Sequence, residues 1–237
     1  MDELDFFKME EDMDYHNDLS LYDGREELDF DQGKDFIVSI HSKREKSCHC
    51  GCGVIVGNYL VTAGHVAKEK TTGALLHNIF VRFKSTFIEL KDDDIVYDGR
   101  QNEDADGVHD DLIIYRFKEV SSPFCLNNNE LTVGLCLCAK TFDYDGHIDD
   151  LQSVETVCEV FSLQSSSSDN KNKWSNCFVV NNPSTFKEGN SGCPVYRKQD
   201  VYGILLKDKR CQNSDRCYTF LSAGYIIQKI NEFEHQL

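Results

Sequence analysis

The sequence predicts an all-β protein whose body covers roughly 200 of its 237 residues. Two observations support this prediction. Short apolar runs rich in Val, Ile, Phe and Tyr recur from residue 35 onward and are separated by Gly, Asn and Asp, a pattern typical of the strands of a sandwich or barrel. In contrast, only the C-terminal segment AGYIIQKINEFEHQL has the spacing of an amphipathic helix.

The expected strands follow one another along the chain, with one long polar interruption. Residues 161–174, FSLQSSSSDNKNKW, are typical of an exposed loop. In the last segment the apolar face of the expected helix consists of Ile226, Ile227, Ile230 and Phe233. The expected strands are, in order, DFIVSI, GVIVGNYLVTA, NIFVRF, STFIEL, DLIIYRF, LTVGLCLCA, SVETVCEVFSL, NCFVVN, CPVYR, VYGILL and TFLSAGYII.

The charge of the chain is strongly negative and unevenly distributed. With 41 Asp and Glu against 25 Lys and Arg, the formal net charge is −16 at pH 7. Much of the acidity lies in residues 1–34, which we expect to form a disordered acidic leader. This leader is either a solubilising tail or a segment that folds against a partner or the domain. An acidic protein is poorly suited to nucleic acid, because contacts with phosphates supply most of the non-specific affinity.

Signals of secretion and of membrane insertion are missing from the sequence. The N-terminus has neither the positive region nor the apolar region of a signal peptide, and no run of about 18 apolar residues occurs. Eleven cysteines would suggest a disulfide framework in a secreted protein, but without a signal peptide we expect free thiols. We therefore expect an intracellular protein that does not bind membranes, and we expect a monomer.

Three polar residues are placed where they can do chemistry. His65 follows LVTAG at the end of an expected strand, Asp111 directly precedes LIIYRF, and Ser191 lies in the glycine-rich segment KEGNSGCPVY. Taken alone, they could be a surface histidine, a charge at a strand end and a turn residue. A serine hydroxyl is a weak nucleophile at neutral pH, so it needs a base, and the base needs a carboxylate that orients it. The order His, Asp, Ser supplies all three parts.

The segments CGVIVGNYLVTAGH, DLIIYRF and EGNSGCPVYR resemble, in order and spacing, the three signature segments of chymotrypsin-fold (trypsin-like) serine proteases. The resemblance extends from about residue 35 to about residue 230. It implies two six-stranded antiparallel β-barrels, here residues 35–120 and 121–225, with a C-terminal helix in residues 226–237. It also implies an endopeptidase that acts on peptides or proteins and uses no cofactor and no metal.

The resemblance assigns roles to individual residues. His65 would be the general base, Asp111 would orient it, and Ser191 would attack the peptide carbonyl. The backbone N–H groups of Gly189 and Ser191 would form the oxyanion hole. Asp110 competes with Asp111, which we prefer because the aspartate of the family directly precedes its apolar strand.

The chain departs from the secreted members of the family at two points. They carry aspartate at the position of Asn190, where it pairs with a new N-terminal amine after zymogen cleavage; Asn190 has no charge for that pairing, and the sequence contains no Ile-Val-Gly-Gly segment. Val66 replaces the cysteine that follows the family's histidine, so Cys52 loses its usual partner. The GNSG form is similar to that of glutamyl endopeptidases, high-temperature-requirement proteases and viral polyprotein-processing proteases, which favours an intracellular or viral role.

Substrate preference is predicted from the expected walls of the specificity pocket. Trypsin-like members place an acidic residue about six positions before the serine, and because Thr185 stands there, cleavage after Lys or Arg is not supported. The basic residues in 207–210 would favour cleavage after Glu, or after a polar or medium-sized apolar residue, unless they form a solvated loop. The expected substrate-binding residues are Thr185, Gly203, Leu205 and Lys207.

Two cysteine clusters leave an alternative open. SCHCGCG at 47–53 and CLC at 136–138 could together supply soft ligands for zinc. However, the alternation of a strand places Cys136 and Cys138 on one face, where both could be buried as small apolar side chains. We expect no metal.

Two other functions remain as alternatives to an active endopeptidase. The first is a protease-like fold that binds peptides without turnover, although the occupation of all three catalytic positions favours activity. The second is a serine esterase of another fold, but such hydrolases mostly have a Gly-x-Ser-x-Gly elbow and the order Ser, Asp, His. In this chain, Gly-Cys-Pro follows Ser191.

Overall fold

A computed structural model describes most of the chain from residue 34 to residue 236. Within it, fourteen strands, β1 to β14, are followed by one α-helix, α1. Residues 1–33, which make up nearly all of the expected acidic leader, lie outside the described residues. The described ranges are 34–42, 48–68, 76, 78–99, 111–129, 131–143, 152–163, 177–181, 186–208 and 217–236.

The first sheet contains seven strands in the order β5-β4-β1-β2-β3-β7-β6, and each neighbouring pair is antiparallel. The hairpin between the second and third strands turns at Gly57 and Asn58, which the sequence shows as GN between apolar runs. The strands are β1 (Ile37–Ser42), β2 (Cys48–Val56), β3 (Tyr59–Ala63), β4 (Ile79–Phe83), β5 (Thr86–Leu90), β6 (Ile95–Asp98) and β7 (Leu112–Arg116).

The second sheet closes on itself. Its order is β12-β9-β10-β11-β14-β13-β8, and an additional pairing of β12 with β13 joins six of its strands into a ring. The short strand β8 lies outside this ring and pairs with β13 in parallel. The strands are β8 (Cys125–Leu126), β9 (Cys136–Asp143), β10 (Gln152–Ser162), β11 (Cys177–Asn181), β12 (Pro194–Arg197), β13 (Asp200–Asp208) and β14 (Cys217–Ser222).

This architecture confirms the predicted class, an all-β protein of two barrel-like sheets with a C-terminal helix. Two details differ from the expectation. The first sheet has seven strands, and its edges β5 and β6 do not pair within the described residues; the parallel pairing of β8 breaks the antiparallel pattern of the second sheet. Strand β8 was not predicted from the sequence, because a two-residue strand is too short to show alternation.

Buried apolar side chains fill two clusters, one on each side of β13. Alternate residues of a strand point to opposite faces. Accordingly, Ile204 and Leu206 belong to the cluster that fills the first sheet, whereas Leu205 belongs to the cluster inside the second barrel. Strand β13, the second strand after the nucleophile segment, is therefore packed from both sides, which fixes its backbone.

Helix α1 (Ala223–Glu234) begins directly after β14. Ile226 and Ile230 are buried in the cluster of the first sheet, so the helix ties the end of the second barrel back to the first. At the other end of the apolar stripe, the centre of the Phe233 ring lies 5.2 Å from the guanidinium carbon of Arg116 in β7. No helix in the described ranges is long and apolar enough to cross a bilayer.

Candidate active site

The pairing of β3 with β7 places His65 beside Asp111. Ala63, the last residue of β3, pairs with Leu112, the first residue of β7. Because the two strands are antiparallel, the end of β3 lies beside the start of β7. His65 follows Ala63 by two residues in a short 3₁₀ turn, and Asp111 immediately precedes Leu112. The two apolar runs recognised in the sequence thus bring the two polar residues together.

Both carboxylate oxygens of Asp111 bind His65. Oδ1 accepts the backbone N–H of His65 at 2.6 Å, and Oδ2 lies 2.7 Å from ring atom Nδ1. An ionised carboxylate only accepts hydrogen bonds, so the hydrogen of the neutral imidazole is on Nδ1 and Nε2 is left as the acceptor. The Asp111 side chain is 13% exposed and that of His65 45%, so the carboxylate is sheltered while the imidazole reaches solvent.

Ser191 lies in a double turn, residues 187–193, that we call the nucleophile turn. The N–H of Asn190 donates to the carbonyl of Lys187 at 3.1 Å, and the N–H of Cys193 donates to the carbonyl of Asn190 at 3.0 Å. Gly189 and Gly192 have φ angles of +89° and +83°, a region that L side chains rarely adopt. The glycines on either side of Ser191 are therefore required by the backbone.

The nucleophile turn is held against the first sheet at Gly192. A Cβ on this residue would lie 2.1 Å from the carbonyl oxygen of Cys52 and 2.4 Å from Oγ1 of Thr62, three residues before His65. The carbonyl of Ser191 accepts the N–H of Cys52 at 2.7 Å. Ser191 therefore belongs to the second barrel in sequence but is fixed to the strands that carry His65.

Asn190 explains how the middle of the turn is held. The residue is 3% exposed, and its side chain uses both ends of the amide. Oδ1 accepts the N–H of Lys187 at 2.6 Å, and Nδ2 donates to the carbonyl of Phe142 in β9 at 3.2 Å. A neutral amide supplies an acceptor and a donor at once, which a carboxylate cannot do.

His49 supports the turn from behind. Its Nε2 donates to the carbonyl of Gly189 at 2.8 Å, and a Cβ on Gly189 would lie 2.9 Å from Cδ2 of this ring. The ring of His41 lies 5.5 Å from that of His49, and its Nε2 is hydrogen-bonded to Oγ of Ser39 at 2.8 Å. Burial lowers the pKa of His41 to about 4, with the neighbouring cations of His49 and Arg82 adding to the effect.

The hydrogen-bond donors expected for the oxyanion hole are the backbone N–H groups of Gly189 and Ser191. Among the described residues, no hydrogen bond uses the backbone N–H of Gly189 or that of Ser191. Likewise, no hydrogen bond in the described part of the chain joins His65 to Ser191. In ligand-free active sites such contacts are often long and shorten only when substrate binds.

The other expected site residues have mixed placements. Asp110 and Thr185 lie outside the described residues. Gly203 is buried, and a Cβ there would lie 2.3 Å from the carbonyl oxygen of Leu221. The Leu205 side chain is buried in the second barrel, while its backbone binds Gly192 and Cys193 of the nucleophile turn. Lys207 is in β13, and its side chain is not described.

The cysteine clusters form no metal site within the described residues. No group of three or more His, Cys, Asp or Glu there is arranged to hold a metal ion. Cys52 and Cys138 are buried in different apolar clusters, and burial raises their thiol pKa values to about 12 and about 11. Burial also raises the pKa of Cys193, two residues after Ser191, so this thiol is not a competing nucleophile.

Comparison with known protein families identifies the family of the chain. The Trypsin family profile matches residues 25–227, most of the chain. The chain belongs to the trypsin family and is a serine endopeptidase, as the resemblance of its three segments predicted. No curated protein matches the sequence.

Solved structures agree with the fold. The Rv3671c protease from M. tuberculosis in its active form is 14% identical, over 85% of this chain and 82% of that chain, with a TM-score of 0.59. The HtrA-type protease AlgW with a decapeptide is 15% identical, over 85% and 66%, with a TM-score of 0.58. Kallikrein-related peptidase 10 in complex with Zn²⁺ is 11% identical, over 86% and 97%, with a TM-score of 0.56.

Sequence reasoning did not find the residues that hold the nucleophile turn from behind. His49 stood out only as part of a cysteine-rich segment, and Phe142 lies three residues beyond the end of the expected strand LTVGLCLCA. Both act across more than 40 positions of the chain, at separations of 140 and 48 residues from their partners. A local pattern carries no signal for such contacts.

Proposed function

We propose that the chain hydrolyses peptide bonds through an acyl-enzyme, with Ser191 as nucleophile, His65 as general base and Asp111 as the residue that orients the base. The main observation behind this proposal is that Asp111 makes two hydrogen bonds to His65. By binding both the backbone N–H and Nδ1, the carboxylate fixes the position of the ring as well as its tautomer.

The chemistry follows from that tautomer. Nε2 takes the proton from Ser191 as Oγ attacks the substrate carbonyl, and the imidazolium that forms is stabilised by Asp111. The same proton then passes from Nε2 to the leaving amine. Water repeats these steps on the acyl-enzyme and releases the acid product.

The N–H groups of Gly189 and Ser191 stabilise the oxyanion in this proposal. Two observations support the assignment: neither group is used by another acceptor in the described residues, and the positive φ of Gly189 is held by His49. Donors that are already oriented before the reaction lower the barrier without a cost of reorganisation in the transition state. Removing one such donor typically lowers kcat by about 100-fold or more.

We further propose that the enzyme works in a reducing compartment, as a monomer that binds no nucleic acid. Its proposed specificity is cleavage after Glu or after a polar or medium-sized apolar residue, as a polyprotein-processing protease would require. Support for the compartment comes from the thiols: all nine cysteines with described side chains are free. Asn190, which needs no charged partner, is consistent with an enzyme that requires no zymogen cleavage.

Labelling with a fluorophosphonate tests the catalytic assignment directly. The reagent phosphonylates an activated serine and needs no knowledge of the substrate. The wild type should be labelled, Ser191→Ala should not be labelled at all, and His65→Ala should be labelled far more slowly. Each variant is compared by circular dichroism so that loss of labelling is not loss of folding.

The outcomes separate the proposal from its main alternative. Labelling lost in Ser191→Ala but unchanged in His65→Ala would remove the general base from its role. A folded wild type that is not labelled, and that cleaves no member of a peptide library, would favour a peptide-binding module. Profiling that shows strict preference for Lys or Arg would contradict the proposed specificity alone.

A further inference from the structure

A basic cavity lies where the two sheets meet, behind the nucleophile turn. Its volume is ≈220 Å³, and its walls come from β1 and β4 of the first sheet and from β9 and β10 of the second. The lining contains one acidic residue, Asp35, and four cations. The cations are Lys34, Arg82, Lys84 and Lys140. This concentration of positive charge stands out in a chain with a net charge of −16.

Lys140 is the most buried of these cations. The residue is 8% exposed, and its ammonium donates to the carbonyl of Lys34 at 2.7 Å. Burial lowers the pKa of Lys140, which means that its charged form is poorly solvated. Within the described residues no carboxylate forms an ion pair with this ammonium. An anion in the cavity would offset the cost of burying its charge.

The acids that the structure places here are already used. Lys34 pairs with Glu155 at 3.1 Å, and Lys84 pairs with Asp35 at 3.7 Å. The first pair is partly exposed and the second is exposed, so each contributes little to stability. Among the described residues Lys140 forms an ion pair with neither of these acids, so the cavity suits a ligand that carries negative charge.

We propose that this cavity binds the acidic segment that precedes it in the same chain, residues 26–31, EELDFD. Four of its six residues carry a carboxylate, and none is basic. Lys34 is part of the cavity wall, so Asp31 is attached only three residues away, a reach of about 10 Å in an extended chain. A tether this short keeps the carboxylates at an effective concentration in the millimolar range.

Docking at this place puts the segment behind the nucleophile turn. Phe142 lines the cavity, and its carbonyl accepts the Nδ2 of Asn190. Ser39, also in the lining, is hydrogen-bonded to His41, whose ring packs against His49. None of the residues expected to bind substrate lines the cavity. The docked segment therefore stabilises the meeting of the two sheets and leaves substrate access unchanged.

Zero-length cross-linking of the full chain tests the contact. A carbodiimide joins a carboxylate to an amine only when the two are in contact, and mass spectrometry identifies the linked peptides. We expect links from residues 26–31 to Lys84 or Lys140 at a yield about fivefold or more above links to Lys118, because the tether concentrates the carboxylates at the cavity. Lys118 is the control: its side chain is 68% exposed and lies outside the cavity.

Two outcomes of the cross-linking experiment would overturn the proposal. Equal yields at Lys84 and Lys118 would mean that the segment has no preferred site. A mixture of isotopically labelled and unlabelled chains separates links within one chain from links between chains. Links found only between chains would assign the cavity to a second copy of the protein.

Thermal unfolding gives an independent readout with a matched control. One variant neutralises Glu26, Glu27, Asp29 and Asp31 as Gln or Asn, and the control neutralises Asp2, Glu3, Asp5 and Glu10 in the same way. Both lose four charges, but only the first should lower Tm, and the difference should disappear near 1 M salt, where the screening length is about 3 Å. The same Tm for both variants at low salt would refute docking. Because neither readout depends on turnover, the result stands whether or not the catalytic proposal does.

Discussion

Replacing Asn190 with aspartate tests the account of the nucleophile turn most directly. The substitution changes one NH₂ group to an oxygen and leaves the size of the side chain unchanged. The acceptor for the N–H of Lys187 is kept, but the donor to the carbonyl of Phe142 is lost. At neutral pH, two oxygen atoms would face one another where Nδ2 now lies 3.2 Å from that carbonyl.

The expected magnitude follows from burial. Asn190 is 3% exposed, so the new charge would have little contact with water. Leaving the Phe142 carbonyl without a donor costs about 1–3 kcal/mol, and an unpaired buried charge adds to this. We expect Asn190→Asp to lower the free energy of unfolding by about 3 kcal/mol at pH 8. For a domain of this size, that corresponds to a fall in Tm of roughly 6–12 °C.

The loss should depend on pH in a definite direction. Burial without a cationic partner raises the pKa of the introduced carboxyl above its unfolded value of about 3.9. Between these two pKa values the folded state binds more protons than the unfolded state, so stability falls as pH rises, by up to about 1.4 kcal/mol per unit. Below the unfolded pKa the protonated carboxyl can donate to Phe142. The difference from the parent protein should shrink to about 1 kcal/mol or less near pH 4.

Urea denaturation followed by circular dichroism measures this difference. Every protein compared carries Ser191→Ala, which prevents self-cleavage. Asn181→Asp, at an exposed position at the end of β11, is the matched control and should change stability by no more than about 0.5 kcal/mol. A loss in Asn190→Asp that is equal at pH 8 and pH 4, or no greater than in the control, would refute the proposed hydrogen-bond arrangement.

Three further predictions concern the backbone, the buried histidine and the carboxylate that binds His65. Gly192→Ala should prevent stable folding, because its Cβ would lie 2.1 Å from the carbonyl oxygen of Cys52. The control Gly57→Ala, at a φ of +53° with open space around it, should lower the free energy of unfolding by about 1 kcal/mol. Denaturation measures both effects. The pKa of His41, about 4, lies below its unfolded value, so the stability that His41 contributes is present above about pH 6.5 and is lost as pH falls towards 4. In a plot of the free energy of unfolding against pH, His41→Gln should reduce this acid-induced loss by on the order of 3 kcal/mol. Asp111→Asn should lower kcat by about 10⁴-fold with little change in KM, because it favours the wrong tautomer of His65, and steady-state kinetics on any cleaved peptide would show it.

The strands that position the site could be predicted because their signals are local. In β7, the apolar run LIIY is buried along its length and is followed by Arg116, and the sequence shows both the run and the aspartate in front of it. The helix boundary was harder, since no Gly or Pro separates β14 from α1. The helix begins at Ala223, three residues before the expected start at residue 226. The four-residue edge strand β6 was not predicted, because it follows three aspartates and none of its residues is fully buried.

The groups that hold the turn could not be predicted, because what selects them is proximity in the folded chain. His49 meets Gly189 only after β2 has been placed beside the second barrel, and Phe142 meets Asn190 only after β9 has closed its ring. The sequence did show that Asn190 lacks the charge of its counterpart in secreted proteases. It could not show that both ends of the amide find partners.

These contacts link the closure of the two sheets to the shape of the active site. Three hydrogen-bonding groups, none of them a carboxylate, hold the nucleophile turn: the amide of Asn190, the ring of His49, and the N–H of Cys52 bound to the carbonyl of Ser191. A Cβ on Gly51 would lie 2.6 Å from Cγ2 of Val66 and 2.9 Å from the carbonyl oxygen of Ser191, so glycine at this position allows β2 to approach the turn closely. The turn is therefore held by contacts that form where the two sheets meet. It follows that substitutions which separate the sheets at this point should reduce stability and serine reactivity together.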